Sequence, residues 1–330
     1  MLLGGSGVFG SAIADALRQR GLEPHTPSHA QADVESSQDL HSSLKPRDIV
    51  IDAAGPFHRR TAMLLEVAIT VGFDVIDLSD NLDYALVVHA MHDRLNAANV
   101  RVFTSCSAVS AVTAAVVKKS GIRKPTIVSV CLIPASRDTS SAGTTASLLR
   151  SLSHPVRVLR DGRLTTVIGW SRSRVFRVPL GRGAVRGYLV ESSDAVTLPR
   201  VWPSLRQVDF SVDTQVVGLN GVIEAAMRLP SGGRLLELLA PVGLPLARLI
   251  GSRAGGYAVD VVGDGGRVST TALVARRRSY MTAALPATLA AAALAGGALP
   301  PPGVVPADRL CDPDELFAEL RQAGIEIQQS

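Results

Sequence analysis

Residues 4–10 read Gly4-Gly5-Ser6-Gly7-Val8-Phe9-Gly10, with Met1-Leu2-Leu3 before them. Gly5, Gly7 and Gly10 fit the pattern G-x-G-x-x-G. In that pattern the first glycine permits a tight strand-to-helix turn, the second lets backbone approach a pyrophosphate, and the third lets the helix press on the strand. Residues 11–20 carry apolar side chains at helical spacing and stop at Gly21, so the free N–H groups of a helix start would face the phosphates. The competing reading is a plain strand-to-helix turn, because glycine supplies 29 of the 330 residues. The pattern that follows decides between them. Strands are expected at 48–52, 73–78 and 100–105, and helices at 61–71, 84–98 and 110–119. That alternation predicts an α/β fold with a doubly wound parallel sheet.

The first two strands of this sheet read unusually. A strand at the sheet centre runs to about 5–6 residues, whereas only Leu2-Leu3 lead into the glycines. The chain is therefore expected to begin inside its first strand, with further apolar residues upstream in the natural protein. The second strand is expected near 21–29, where Pro24 and Pro27 interrupt it, and it ends in Ser28-His29 with neither an acid nor an arginine. An acid about 20 positions after the glycines would bind ribose hydroxyls. Asp33 is the carboxylate placed to approach adenine or ribose, and a full crossover helix is missing between Val34 and Asp48. This leaves both NAD and NADP open as cofactor.

Ligands of open α/β sheets bind beyond the carboxyl ends of the strands, which points to three loops: 53–58, 77–81 and 105–108. Together with Gly5, Ser6, Gly7, Val8, Phe9, Gly10 and Asp33, the expected cofactor contacts are Ala53, Ala54, Gly55, Pro56, Asp77 and Ser79. His58 is a candidate acid–base group, since histidine titrates near neutrality; the alternative is a solvated loop histidine beside Arg59 and Arg60. Asp80 is a candidate for catalysis or for orienting a polar substrate, and Asp80 and Asp83 could equally cap the helix that follows. Ser107 is a further substrate candidate. Cys106 has no base near it in sequence and reads as a buried thiol.

From Lys124 the texture changes to short alternating strands with turns at Asp161-Gly162, Gly181-Arg182-Gly183 and Gly263–Gly266, which predicts a mostly antiparallel sheet with helices on one face. Gly143, Thr144 and Ser147 open a predicted helix there. They suit a carboxylate or phosphate, and they are equally good caps. The expected division is 1–120, 121–283 and 284–330. A net charge of +5 permits an anionic partner, but aromatics make up only 4% and no reader motif accompanies the arginines, so nucleic acid is not expected. Three scattered cysteines fit neither a disulfide scaffold nor a metal site. The apolar windows 235–250 and 283–299 are broken by charge, proline or glycine, so no membrane span is expected. With no secretory signal in the residues present, a cytoplasmic protein is expected.

These residues resemble the saccharopine dehydrogenase-like oxidoreductases, specifically an uncharacterised NAD(P)-binding branch. The resemblance runs through Gly4–Gly10, Val50–Phe57, Val75–Asp80, Ser105–Val109, Ser136-Arg137-Asp138, Gly143-Thr144 with Ser147, and Arg160–Arg163. It implies a Rossmann-type domain, an inserted α+β domain that binds a small-molecule substrate and can form a homodimer, and a C-terminal segment returning to the first domain. It also implies hydride transfer with NAD(P) at a carbon–nitrogen bond of an amino-acid-like substrate. The lysine–histidine pair of some catalytic members has no evident counterpart here. Two other readings stand beside this one. A non-catalytic dinucleotide-binding or sensor protein would need no acid–base pair. A short-chain reductase or epimerase would need Tyr-x-x-x-Lys, and Tyr84, Tyr188, Tyr257 and Tyr280 are followed four residues on by Val88, Ser192, Val261 and Ala284.

Overall fold

Short, wholly apolar runs become strands where both faces are covered. Val50, Ile51, Val75, Ile76, Val102 and Phe103 are buried in this way. In the computed structural model they lie on β2 (Ile49–Asp52), β3 (Asp74–Asp77) and β4 (Arg101–Phe103), beside β1 (Leu2–Leu3). Neighbouring strands are parallel in the order β1-β2-β3-β4. The structure describes residues 1–139, 155–170, 172–179, 183–216, 218–227 and 251–330, together with Leu152, Leu229 and Leu238. Helices Val8–Gln19, Met63–Val71, Leu82–Ala90, His92–Ala97 and Ala111–Lys119 alternate with the strands. The later helix Met281–Ala295 packs on Val8–Gln19, β2 and β3.

Three expectations are corrected here. β1 is an edge strand of the assigned sheet, not its centre, and no strand forms over 21–29. Leu2 N–H still donates to His25 O at 2.8 Å, but Pro24 and Pro27 have no N–H to extend a ladder. The helix expected over 84–98 is two helices, divided at Met91, whose backbone (φ −91°, ψ 2°) leaves the helical region. Between Val34 and Asp48 a two-turn helix, Ser37–Ser43, takes the place of a full crossover, and Ser36 Oγ caps it by accepting the Asp39 N–H.

The second sheet is built from β5 (Pro125–Ile133), β6 (Pro155–Arg160), β7 (Arg163–Ile168), β8 (Ser173–Arg177), β9 (Ala184–Val190), β10 (Gln207–Val212), β11 (Gly255–Gly263) and β12 (Val268–Ala275). Its pairs are antiparallel except β5 with β10. The β6–β7 turn places Asp161 (φ +48°) and Gly162 (φ +76°) in the left-handed region, as a two-residue hairpin of twisted strands requires. Cys131, Ile133, Phe176, Val178, Ala258 and Val274 form a buried cluster of this sheet.

Near the C-terminus, β13 (Gly303–Val304) extends the first sheet beyond β4, and β14 (Glu326–Gln329) pairs antiparallel with β12 in the second. Two compact units result: 1–115 with 196–201 and 281–316, and 116–195 with 202–280 and 317–330. Residues 281–316 thus fall in the first unit and residues 317–330 in the second.

Candidate functional site

The glycine loop shows which of its glycines serve packing and which does not. Gly4 has φ +74°, and a Cβ there would lie 2.6–2.7 Å from Ala53 backbone. A Cβ on Gly10 would stand 2.1 Å from Gly4 O, and one on Gly5 would stand 2.8 Å from the Thr26 methyl. Gly7 differs: a Cβ would meet only Gly4 O, at 3.3 Å, and both Ser6 and Gly7 are exposed. Gly7 is the N-cap of Val8–Gln19, with no side-chain cap and no acid in the first turn. The first N–H groups of that helix therefore lack an intrahelical partner, and the positive end of the helix faces an open glycine. This is a cradle of the shape and polarity a pyrophosphate needs.

Beside it, at the end of β2, Asp52 is fully buried. Its Oδ1 accepts from Ala54 N–H (3.0 Å) and Arg60 Nη2 (3.1 Å), and Arg60 Nε lies 3.1 Å from Oδ2. Arg60 also donates to Ala54 O and, at 3.2 Å, to Glu35 Oε1, and its guanidinium sits 5.5 Å from the Phe57 ring centroid. Glu35 in turn accepts from the Thr61 N–H (3.1 Å) and hydroxyl. Burial pushes the Asp52 carboxyl up, and the Arg60 charge pulls it back. The Arg60 side chain is itself only 5% exposed. His58, on the 3-10 turn Phe57–Arg59, is half-buried.

At the end of β3, Asp77 Oδ1 accepts the N–H groups of Ser79 (3.0 Å) and Ser105 (2.8 Å), tying together the loops after β3 and β4. Cys106 N–H adds a bond to Asp77 O at 2.8 Å. Among the described residues no ion pair reaches Asp77, and burial pushes it up to about 7 against the pull of those N–H donors and the Thr104 hydroxyl. Tyr84 packs by Phe57, with ring centroids 6.1 Å apart. Burial raises its hydroxyl well above the usual range, with Asp77 and Asp52 adding to the rise, and that hydroxyl has no hydrogen-bond partner among the described residues. Asn81 Oδ1 caps Leu82–Ala90 by accepting Tyr84 N–H at 2.9 Å. The capping role considered for Asp80 and Asp83 thus belongs to Asn81, and both aspartates are exposed.

The remaining expected site residues fall as follows. Ala53 and Ala54 are half-buried beneath Gly4, and the Gly55-Pro56 bond is cis. Asp33 Oδ1 accepts Glu35 N–H at 2.9 Å. Ser79 is buried, with its Oγ accepting Asn81 N–H at 3.1 Å. Ser107 is buried, and so is Cys106, whose thiol burial raises well above its ordinary range. Gly143, Thr144 and Ser147 lie outside the described residues. Sequence reasoning missed Asp52, Arg60 and Glu35 as members of one network, with Tyr84 packed beside Phe57. The available signal was a lone acid closing an apolar strand, eight residues before an arginine.

Among the described residues no cluster of His, Cys, Asp or Glu could hold a metal, and no helix is long and apolar enough to cross a membrane. No protein-family model matches the chain, and no curated protein matches it. Among solved structures, apo saccharopine dehydrogenase (L-Glu forming) from Saccharomyces cerevisiae matches 100% of this chain and 98% of its own, with TM-score 0.59 and 14% identity. A multiply substituted meso-DAPDH from Clostridium tetani, crystallised with DAP, is similar over 97% and 98%, with TM-score 0.43 and 12% identity. The first of these carries the comparison: the chain has the fold of a saccharopine dehydrogenase, a Rossmann-type α/β architecture.

Proposed function

We propose that this protein is an NAD(P)-dependent oxidoreductase of saccharopine dehydrogenase type, acting at a carbon–nitrogen bond of an amino-acid-like substrate in the cytoplasm. The observation that carries the reading is the glycine cradle. Gly4, Gly5 and Gly10 are required by packing, whereas Gly7 is glycine on an open side, at an uncapped helix start. The nicotinamide cofactor would supply the hydride chemistry. The chain's own part is to hold it: backbone N–H groups of residues 8–10 take the pyrophosphate, the Ala53–Pro56 turn supports the adjoining ribose, and Asp77 with Ser79 keeps the neighbouring loops in place. His58 and Asp80 are the proposed proton-handling groups. Ser107, Gly143, Thr144 and Ser147 are the proposed substrate contacts, with 121–283 as the substrate and self-association domain.

Titration with NADH and NADPH, followed by fluorescence, tests the reading. Binding of at least one is expected, and Gly7→Val should abolish it while circular dichroism and the unfolding midpoint stay unchanged, because φ −76° and ψ 167° suit valine. Binding of neither nucleotide to the native sequence, or unchanged affinity in a folded Gly7→Val protein, would overturn it. An oxidation screen of amino acids and their adducts then addresses the substrate.

A further inference from the structure

We infer that the site takes NAD in preference to NADP and that Asp33 is the residue that decides it; this rests on the dinucleotide reading above and deepens it. The segment after Gly21 runs where the second strand of a dinucleotide fold would lie. His25 O accepts the Leu2 N–H at 2.8 Å, and the Thr26 methyl closes on Gly5. The adenosine ribose of a bound dinucleotide falls at the end of that segment, where an acid selects the free 2′-hydroxyl and an arginine the 2′-phosphate.

The charge of the segment is one-sided. Between Leu22 and Leu44 there is no lysine or arginine, in a chain that has 34, whereas Glu23, Asp33, Glu35 and Asp39 all fall within it. Asp33 is held for the task. Its backbone N–H donates to Asp39 Oδ2 at 3.3 Å, and its Oδ1 accepts the Glu35 N–H at 2.9 Å and lies 3.8 Å from His29 Nδ1. Its side chain is 39% exposed, and Oδ2 remains able to accept from a ribose hydroxyl. Among the described residues two cations reach this segment from elsewhere: Arg18 meets Glu23 at its start, 3.4 Å away, and Arg60 meets Glu35, two residues from Asp33. Arg60 is buried, and its guanidinium is engaged with Asp52, Ala54 O and Glu35. Turning it outward toward a phosphate would strand the fully buried Asp52 carboxylate. A 2′-phosphate, nearly doubly charged at neutral pH, would therefore meet Asp33 and Glu35 while the Arg60 guanidinium stays committed to Asp52.

Calorimetric titration of the full chain with NADH, NADPH, ADP-ribose and 2′-phospho-ADP-ribose tests this by binding alone. The unphosphorylated member of each pair is expected to bind at least about tenfold more tightly, a difference of about 1.4 kcal/mol. Asp33→Ser should narrow that ratio by weakening NADH and strengthening NADPH, while Asp15→Asn, an exposed acid of the first helix paired with Arg18, should leave it unchanged. Equal or tighter binding of NADPH, or a ratio that Asp33→Ser does not move, overturns the inference and leaves the dinucleotide reading standing. Binding of none of the four probes overturns both.

Discussion

Asp52 and Asp77 close neighbouring parallel strands, stand opposite each other in the β2–β3 register and are both fully buried, yet their charges are handled by different means. Asp52 meets a guanidinium: the loop after β2 turns back through Phe57–Arg59 and delivers Arg60 against both carboxylate oxygens. Asp77 meets backbone N–H groups and the Thr104 hydroxyl, because the loop after β3 returns Asn81, which spends its side chain on capping the next helix. With no cation to offset desolvation, Asp77 titrates at about 7. Equal burial therefore leads to two arrangements, an ion pair beside the glycine loop and a carboxyl of raised proton affinity beneath the loops after β3 and β4. The difference follows from what each loop brings back to its strand end.

The strongest way to break the comparison is to take the cation from Asp52. Arg60→Met leaves a buried carboxylate unpaired and should lower stability by about 3–5 kcal/mol in urea unfolding. The double variant Asp52→Asn with Arg60→Met should recover much of that loss, since no buried charge then remains. A stability close to that of the native sequence for Arg60→Met alone would show that Asp52 does not depend on the ion pair.

A second test reads the proton on Asp77. The native state holds that proton more tightly than the unfolded chain, so the contribution of Asp77 to stability is largest below the ordinary aspartate range. It is lost as pH rises toward about 7 and levels beyond it. The stability of the native sequence relative to Asp77→Asn should fall by about 1.4 kcal/mol per pH unit between about pH 4 and 7. A flat difference across that range would mean Asp77 titrates normally.

The smallest effect sharpens the contrast between the two helix starts. Asn81→Ala removes the cap of Leu82–Ala90 and should cost about 1 kcal/mol without altering nucleotide affinity. The start of Val8–Gln19 has no side chain to lose. A fall in nucleotide affinity in Asn81→Ala, measured in the same titration as Gly7→Val, would tie the two starts together.

Much of the first sheet could be read in advance because buried parallel strands are continuous apolar runs with glycine and proline at their ends. Residues 48–52 and 73–78 announce β2 and β3 to within a residue or so. The glycine pattern was equally plain, although chain order alone could not show that Gly4, outside the pattern, is the glycine packed on Ala53. The burial of Arg60 could not be read from its neighbours Arg59 and His58, because such a polar run is normally solvated. Its burial depends on Asp52, eight residues back, and Glu35, 25 back, reaching the same place. The parallel pairing of β5 with β10 escaped notice for a similar reason: strand character is local, whereas the choice of partner is not.

By itself, the sequence determined most of the strand and helix segments, the turn chemistry of Asp161-Gly162, and a glycine cradle at a helix start, since each follows from local sterics and from apolar periodicity. The tertiary structure alone decided that β1 lies at an edge, that Asp52 and Asp77 face each other in register, and that one of them is given a cation and the other a raised proton affinity. Those outcomes depend on which distant groups share a water-free space. In such a space the energy of a charge is set by its neighbours rather than by its own residue type.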